Sequence, residues 1–223
     1  MTIAIDGPAG AGKSTIARGA AQALGYAYID TGALYRSVAL AILRAGISTD
    51  DELAVEAFLP QVALAVRFVD GAQCVFLGQE DVSEAIRAPV VSMATSDTSK
   101  YRAVRAFLMQ TQRDLAYAQD SILDGRDIGT VVLPAADVKI YLTADPKERA
   151  RRRWQEQKAR GIDDSYDKVL AEVLTRDEQD MNRTESPLSP AEDSILLDNT
   201  GMDVEQSVCA LLHIIKSKEG SCK

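Results

Sequence analysis

Histidine and tryptophan occur once each, at His213 and Trp154, and cysteine three times, at Cys74, Cys209 and Cys222. One histidine excludes a metal centre built from several imidazoles. Three scattered cysteines without Cys-x-x-Cys spacing exclude a zinc knuckle and a disulfide framework. The thiols read as reduced ones in a reducing compartment. His213 reads as a surface residue near the end of a C-terminal helix, and Trp154 as packing or lid surface. Neither His-Glu-x-x-His nor Gly-x-Ser-x-Gly occurs, which removes two familiar hydrolase chemistries. No run of about 20 apolar residues is present, and no basic-then-apolar leader, so a cytoplasmic protein is expected. Positive charge is also short: 25 Lys and Arg face 33 Asp and Glu, a formal charge of −8. Nucleic acid and anionic membrane both reward a basic face, so neither is expected as a partner. Any polyanionic ligand must be met by a local cluster of cations.

What is present is an α/β rhythm. The 223 residues, 46% of them hydrophobic, suit one α/β domain with appended subdomains. Short apolar runs at 2–6, 26–30, 121–124, 138–143 and 194–198 read as five buried parallel strands with helices on both faces. Four of the five end in Asp, and open α/β sheets bind ligands beyond the carboxyl ends of their strands. Helices are expected from Lys13 to Gly25 and over about 34–45, 100–118, 146–160 and 203–217. Asp145-Pro146-Lys147-Glu148 marks the start of the fourth as N-cap, proline at N1 and acidic N3. Residues 63–78 break the rhythm: two alternating segments flank Asp70-Gly71, the signal of a β-hairpin. The expected plan is a core of 1–30, 90–145 and 190–223, an inserted region over 31–89 holding the hairpin, and a separate region over 146–183 opened by the fourth helix.

Residues 7–14 read Gly-Pro-Ala-Gly-Ala-Gly-Lys-Ser, directly after one strand and directly before a helix. This is a phosphate loop, and its chemistry explains its composition. Backbone N–H groups must converge on phosphate oxygens, so Gly7, Pro8, Ala9, Gly10, Ala11 and Gly12 are small or glycine, and the helix N-terminus adds a favourable dipole. Lys13 reaches the β- and γ-phosphates, Ser14 offers a hydroxyl to Mg²⁺, and Thr15 completes the ATP-binding stretch. A nucleoside triphosphate with Mg²⁺ is implied, and no tightly bound organic cofactor. The acceptor of the phosphoryl group is not.

Arginines at element ends supply the missing cations: Arg36 after Asp30-Thr31-Gly32-Ala33-Leu34-Tyr35, Arg126 in Asp124-Gly125-Arg126-Asp127, and Arg183 after Asp180. The planar guanidinium fork suits a terminal phosphate. These motifs, with Gly78-x-x-Asp81-Val82-Ser83-x-x-Ile86-Arg87 after the hairpin and Arg176-Asp177-x-x-Asp180-x-x-Arg183-x-x-x-Pro187-Leu188, resemble the cytidylate kinase family over almost the whole chain.

The resemblance implies a P-loop kinase fold in which 31–89 binds the monophosphate and 146–183 is a short helical lid. It implies transfer of the γ-phosphoryl of ATP to CMP or dCMP. Arg36, Arg126 and Arg183 would hold the acceptor phosphate, with Thr31 and Tyr35 lining that pocket. Ser96, Arg105 and Asp127 would read cytosine, while Asp180, with Arg176 near it, would meet the ribose hydroxyls. Arg149 and Arg153, four apart on one helix face, would join Lys13 and Arg126 on the transferring group. Asp124 or Asp127 would orient a metal-bound water or the pocket arginines. A monomer is expected. Two other readings stay open: a P-loop kinase for another nucleotide or a metabolite, and a nucleotide switch. The switch lacks Asn-Lys-x-Asp for guanine, and Asp198-x-x-Gly201 lies far from the place such a motif needs; that segment fits a loop near the donor adenine instead.

Overall fold

The computed structural model describes residues 1–159 and 161–219. Arg160, the expected last residue of the fourth helix, lies outside them, as do Gly220 to Lys223 and hence Cys222. In chain order the elements are β1 (Thr2–Asp6), α1 (Lys13–Leu24), β2 (Ala27–Asp30), α2 (Thr31–Arg44), α3 (Glu52–Phe58), β3 (Leu64–Val69), β4 (Ala72–Leu77), β5 (Glu80–Asp81) and α4 (Pro89–Thr98). They continue with α5 (Arg102–Tyr117), β6 (Ser121–Gly125), β7 (Val138–Thr143), α6 (Pro146–Ala159), α7 (Tyr166–Asn182), β8 (Ile195–Asp198) and α8 (Val204–Glu219).

The chain divides into two compact units, one of Met1–Ala27 with Asp120–Lys223 and one of Tyr28–Gln119. The chain's main sheet has five strands in the order β2-β6-β1-β7-β8, of which β6, β1, β7 and β8 lie in the first unit. β1 pairs parallel with β6 and β7, and β7 parallel with β8. β2 enters at Ala27, whose N–H donates to the Asp120 carbonyl at 2.9 Å. Every residue of β1 is buried, which explains its unbroken apolar run. The order reverses at β1: β2 and β6 lie to one side, β7 and β8 to the other. The register sets Asp6 opposite both Gly125 and Tyr141, so the loops leaving β1 and β6 start level with each other. Such a reversal is where parallel sheets open a ligand crevice.

In this unit α1 packs on α8 so closely that a Cβ at Gly19 would stand 2.9 Å from a Val208 methyl. α6 packs on α7, a helix absent from the expectations above. Its buried stripe is Val169, Val173 and Asp177. Leu170 and Leu174 repeat the i, i+4 spacing of Val169 and Val173, so a helical period stands in the sequence here, although the expected plan passed over it. Trp154 on α6 donates to the Asp164 carbonyl at 2.9 Å and meets the Tyr166 ring edge-on, joining α6 to the start of α7. No helix of the described residues is long and apolar enough to cross a membrane.

The second unit has its own core, with Leu34, Val38 and Ile42 of α2 at its centre and Val75, Val91, Val104 and Leu108 around them. The hairpin is there: β3 and β4 pair antiparallel, Val69 opposite Ala72, with Asp70 and Gly71 both at positive φ as a tight right-twisting turn needs. β5 adds a short third strand. α4 and α5 differ from the expected plan, which placed residues from 90 onward with the main sheet. Val91, Ala94, Val104 and Leu108 bury into the same cluster as α2 and the hairpin, so both helices belong to this unit.

Candidate active site

The loop between β1 and α1 is shaped from behind. Its carbonyls are held by three donors outside the loop's own ladder: Lys13 Nζ on Pro8 at 2.8 Å, Arg149 Nη1 on Ala9 at 3.0 Å and Asn199 Nδ2 on Ala11 at 3.1 Å. A trans peptide holds its C=O and N–H on opposite sides. Fixing these carbonyls therefore also fixes the N–H groups of Ala9, Gly10 and Gly12, each trans to its carbonyl, and gives the loop the held amides that an anion site uses. Gly7, Gly10 and Gly12 all have positive φ. At Gly7 the reason is also steric, because a Cβ would lie 1.9 Å from the Leu142 carbonyl oxygen on the neighbouring strand. Gly12 caps α1 without a side-chain acceptor, so the first helical N–H groups join those of the loop.

Beyond the loop, Ser14 Oγ donates to Asp124 Oδ2 at 2.7 Å. A hydroxyl and a carboxylate at this spacing are hard oxygen donors, the kind Mg²⁺ takes. Lys13 is buried. Burial, and then the Arg126 guanidinium, push its ammonium well below the ordinary value, while Asp124, Asp180 and Asp6 pull the other way.

Asp6, the last residue of β1, was read from the sequence only as a strand end. Its carboxylate accepts from the N–H of Ile128 and of Gly129, each at 2.7 Å. These open a π-helical turn, Ile128–Val132, in which Val132 and Leu133 reach back five residues to Asp127 and Ile128. Burial pushes Asp6 up from 3.8 to about 6, against its two backbone bonds, with Asp127 adding to the rise. A carboxylate raised in the native state stabilises the fold fully below the unfolded value and loses that contribution as pH rises through the folded one. NMR titration of the carboxyl carbons in the free protein is therefore expected to show Asp6 with a midpoint near 6. Its share of stability in urea melts falls between 3.8 and that point. A midpoint at the ordinary value would mean that water reaches the strand end.

The arginines of this unit form a charged cluster with the acids of α7 and of the segment after β6. Arg126 Nε donates to Asp180 Oδ2 at 2.9 Å. Arg183 lies 3.8 Å from Asp127 and 3.9 Å from Asp180, and its Nε donates to the Ser186 carbonyl. Burial raises Asp180, but Arg126, Arg176 and Arg183 outweigh it and hold the carboxyl below the ordinary range. The structure therefore brings together Arg126, Asp127, Arg176, Asp180 and Arg183.

The two lid arginines part company. Arg153 is half-exposed, its guanidinium 4.0 Å from Glu172. Arg149 was expected to share its face and reach a phosphoryl group, but here its side chain is only 3% exposed. It grips Asp177 with both Nη atoms, at 3.0 and 2.6 Å, and donates to the Ala144 and Ala9 carbonyls. A side chain so committed cannot swing onto a substrate without breaking a buried ion pair. Arg152, the weaker candidate by sequence, binds Glu148 and the Asn199 and Met202 carbonyls.

In the second unit Asp30 caps α2, accepting from Ala33 N–H at 2.9 Å, and takes Arg36 Nη2 at 2.8 Å. A Cβ at Gly32 would stand 2.9 Å from the Arg36 guanidinium and 3.0 Å from Asp30 Oδ1, so a larger residue there would displace the Asp30–Arg36 pair. Gln73 of β4 bonds both backbone groups of Asp30, accepting from N–H at 2.7 Å and donating to C=O at 3.2 Å. The hairpin thereby steadies the turn that carries Thr31, Tyr35 and Arg36. Arg105 is buried with its guanidinium 5.6 Å from the Tyr35 ring centre. Of the residues beside Ser96, Thr95 donates to the Val91 carbonyl and Asp97 accepts from Thr49, so both neighbours are engaged.

A profile of the cytidylate kinase family matches residues 3–217. The cytidylate kinase of Caldicellulosiruptor bescii is 49% identical over 214 residues, covering 96% of this chain and 95% of the relative. That of Carboxydothermus hydrogenoformans is 47% identical over 218 residues, 98% of each. The chain belongs to the cytidylate kinase family. An uncharacterized protein from Eubacterium ventriosum, 14% identical with a TM-score of 0.51 over 96% of this chain and 97% of its own, shares the fold.

Membership in the cytidylate kinase family sets aside the metabolite-kinase and switch readings. Sequence reasoning passed over Asp6, Gln73, Asp177 and Asn199. Asp177 stood in a motif as the second residue of Arg176-Asp177, Asn199 inside Asp198-x-x-Gly201 and Asp6 among the strand-ending aspartates, but none was given a role of its own; Gln73 stood in no motif, and its amide leaves no charge pattern to notice.

Proposed function

We propose that this chain transfers the γ-phosphoryl group of ATP to CMP and dCMP, giving ADP and the cytidine diphosphates. The observation that supports it most is electrostatic. Lys13 of the donor loop lies within the influence of Arg126 and Asp180, the pair at the centre of the arginine cluster. The first unit thus carries cations for the donor and, in Arg126 and Arg183, part of the charge offered to the acceptor. The acceptor phosphate is already an oxyanion at neutral pH, so no general base is needed. An acceptor oxygen attacks the γ-phosphorus in line while the bond to the β-phosphate oxygen breaks, and ADP leaves with that electron pair. Catalysis is positioning and charge neutralisation. The loop from Gly7 to Thr15 holds ATP. Lys13 and Arg153 neutralise the transferring group.

Arg126 and Arg183 hold the acceptor phosphate, Asp180 with Arg176 the ribose, and Asp127 contributes to reading cytosine. From the second unit we assign Thr31, Tyr35 and Arg36 to the monophosphate, and Ser96 and Arg105 to the base. Cytosine suits these types, since its N4 is a donor for an oxygen and its N3 and O2 are acceptors for arginine. Mg²⁺ fits the Ser14 hydroxyl, with Asp124 behind it, and supplies neutralisation of the donor phosphates when bound. The charge of −8 supports the absence of nucleic-acid and anionic-membrane partners, and we assign the chain as a cytoplasmic monomer.

Coupled ADP production with Mg·ATP and each of CMP, dCMP, UMP, AMP and GMP tests the reading. Turnover is expected with CMP and dCMP well above the purine monophosphates. Preference for AMP or GMP would sink the base assignments.

A further inference from the structure

Arg149 and Asp177 form a buried, bidentate ion pair between α6 and α7, their side chains 3% and 10% exposed. As glue this is a poor choice. Two charges lose their hydration, and a well-packed apolar pair of similar volume holds two helices equally well or better. What an apolar pair cannot do is bind a carbonyl. Arg149 donates to the Ala9 carbonyl inside the phosphate loop, and the loop lies against the same residue, where a Cβ at Gly10 would come within 3.3 Å of Arg149 Cβ. Three residues beyond Asp177, on the same face of α7, Asp180 takes Arg126 of the acceptor cluster. An unbroken chain of contacts therefore runs from the Ala9 carbonyl through Arg149 and Asp177, along one turn of α7, to Asp180 and Arg126.

We infer that Asp177, acting through Arg149, is a positioning residue that sets the distance between the donor phosphate loop and the acceptor-binding arginine Arg126. This rests on the kinase reading above. The reaction is sensitive to that distance because in-line transfer requires the acceptor oxygen and the γ-phosphorus to meet in a narrow range. A misplacement of about 1 Å costs on the order of a hundredfold in rate. Neither residue touches substrate in this scheme, so both substrates bind while the step between them slows.

The test uses the full chain with two sets of changes: Asp177→Asn, which leaves Arg149 without its anion, and the double variant Arg149→Met with Asp177→Leu, which replaces the pair by apolar volume. Rates are taken per folded molecule, from ATP-site titration, with thermal melting alongside. In the double variant melting is expected to stay near that of the unsubstituted enzyme. Its kcat is expected to fall on the order of a hundredfold, with KM for ATP and for CMP each within about threefold. A folded double variant with unchanged kcat would overturn the inference. So would a loss carried by the two KM values, or failure of both variants to fold, which assigns the pair to stability alone. Absence of CMP turnover in the unsubstituted enzyme is a separate result: it overturns the kinase reading, and the inference with it.

Discussion

Replacing Lys13 with methionine is expected to lower kcat by about 10²–10³-fold while the protein melts no lower than before. Methionine keeps the length of the stem and loses the ammonium. That ammonium is buried, with the Pro8 carbonyl at 2.8 Å as its hydrogen-bond acceptor, and its surroundings push its pKa down. A buried cation in such a place is costly to the free protein, so removing it does not weaken the fold. Its gain comes when the triphosphate arrives with charge to match and when the equatorial oxygens of the transferring group gather more of it. The variant should bind Mg·ATP with a smaller rise in melting temperature than the parent. A kcat within tenfold of the parent would show that Lys13 holds the loop and does not serve the chemistry.

Arg126→Ala is expected to reduce kcat/KM for CMP by about 10²–10³-fold, with KM for ATP little changed. Arg126 gives Nε to Asp180 and Nη1 to the Gly125 carbonyl, which aims the rest of the fork away from both. Its loss has a second consequence. Arg126 is the foremost of the three arginines that hold Asp180 below the ordinary carboxylate range, so the Asp180 carboxyl should titrate higher in the variant. Arg126→Lys should recover only part of the activity, since an ammonium is a point charge without a fork. Isothermal titration with CMP separates the cases: affinity equal to the parent's would remove Arg126 from the acceptor site.

The parts of this site that the chain spells out in charge and glycine were readable before any coordinates. The loop from Gly7 to Ser14, the hairpin around Asp70-Gly71 and the arginines at element ends each follow from a local rule. The helix α7 was legible in Val169, Leu170, Val173 and Leu174 and was passed over, whereas the polar end of its buried stripe, Asp177, has no apolar signal. Arg149 was misjudged for a related reason. Helical spacing says that it shares a face with Arg153, but not that a buried carboxylate waits opposite one of them and an exposed glutamate opposite the other. The allegiance of α4 and α5 was equally hidden. Val91 and Leu108 are as apolar as any sheet-facing residue, and only the tertiary contacts show which core takes them.

The sheet order has a consequence for biosynthesis. Residues 28–119 form an uninterrupted stretch whose core residues, from Ala33 to Leu108, are all made before β6 is. The nucleotide loop differs. Although it lies in the first fifteen residues, β1 must wait for β6 and β7 to flank it, and Asp6 finds its backbone partners 122 residues later. The Ala11 carbonyl waits longer still, for Asn199, 188 residues on. Closing spans of that length is slow, because chain entropy is lost before any contact rewards it. The segment translated first is therefore among the last to be shaped, and a nascent chain truncated before β8 carries the glycines of the loop without the Asn199 amide that holds the Ala11 carbonyl.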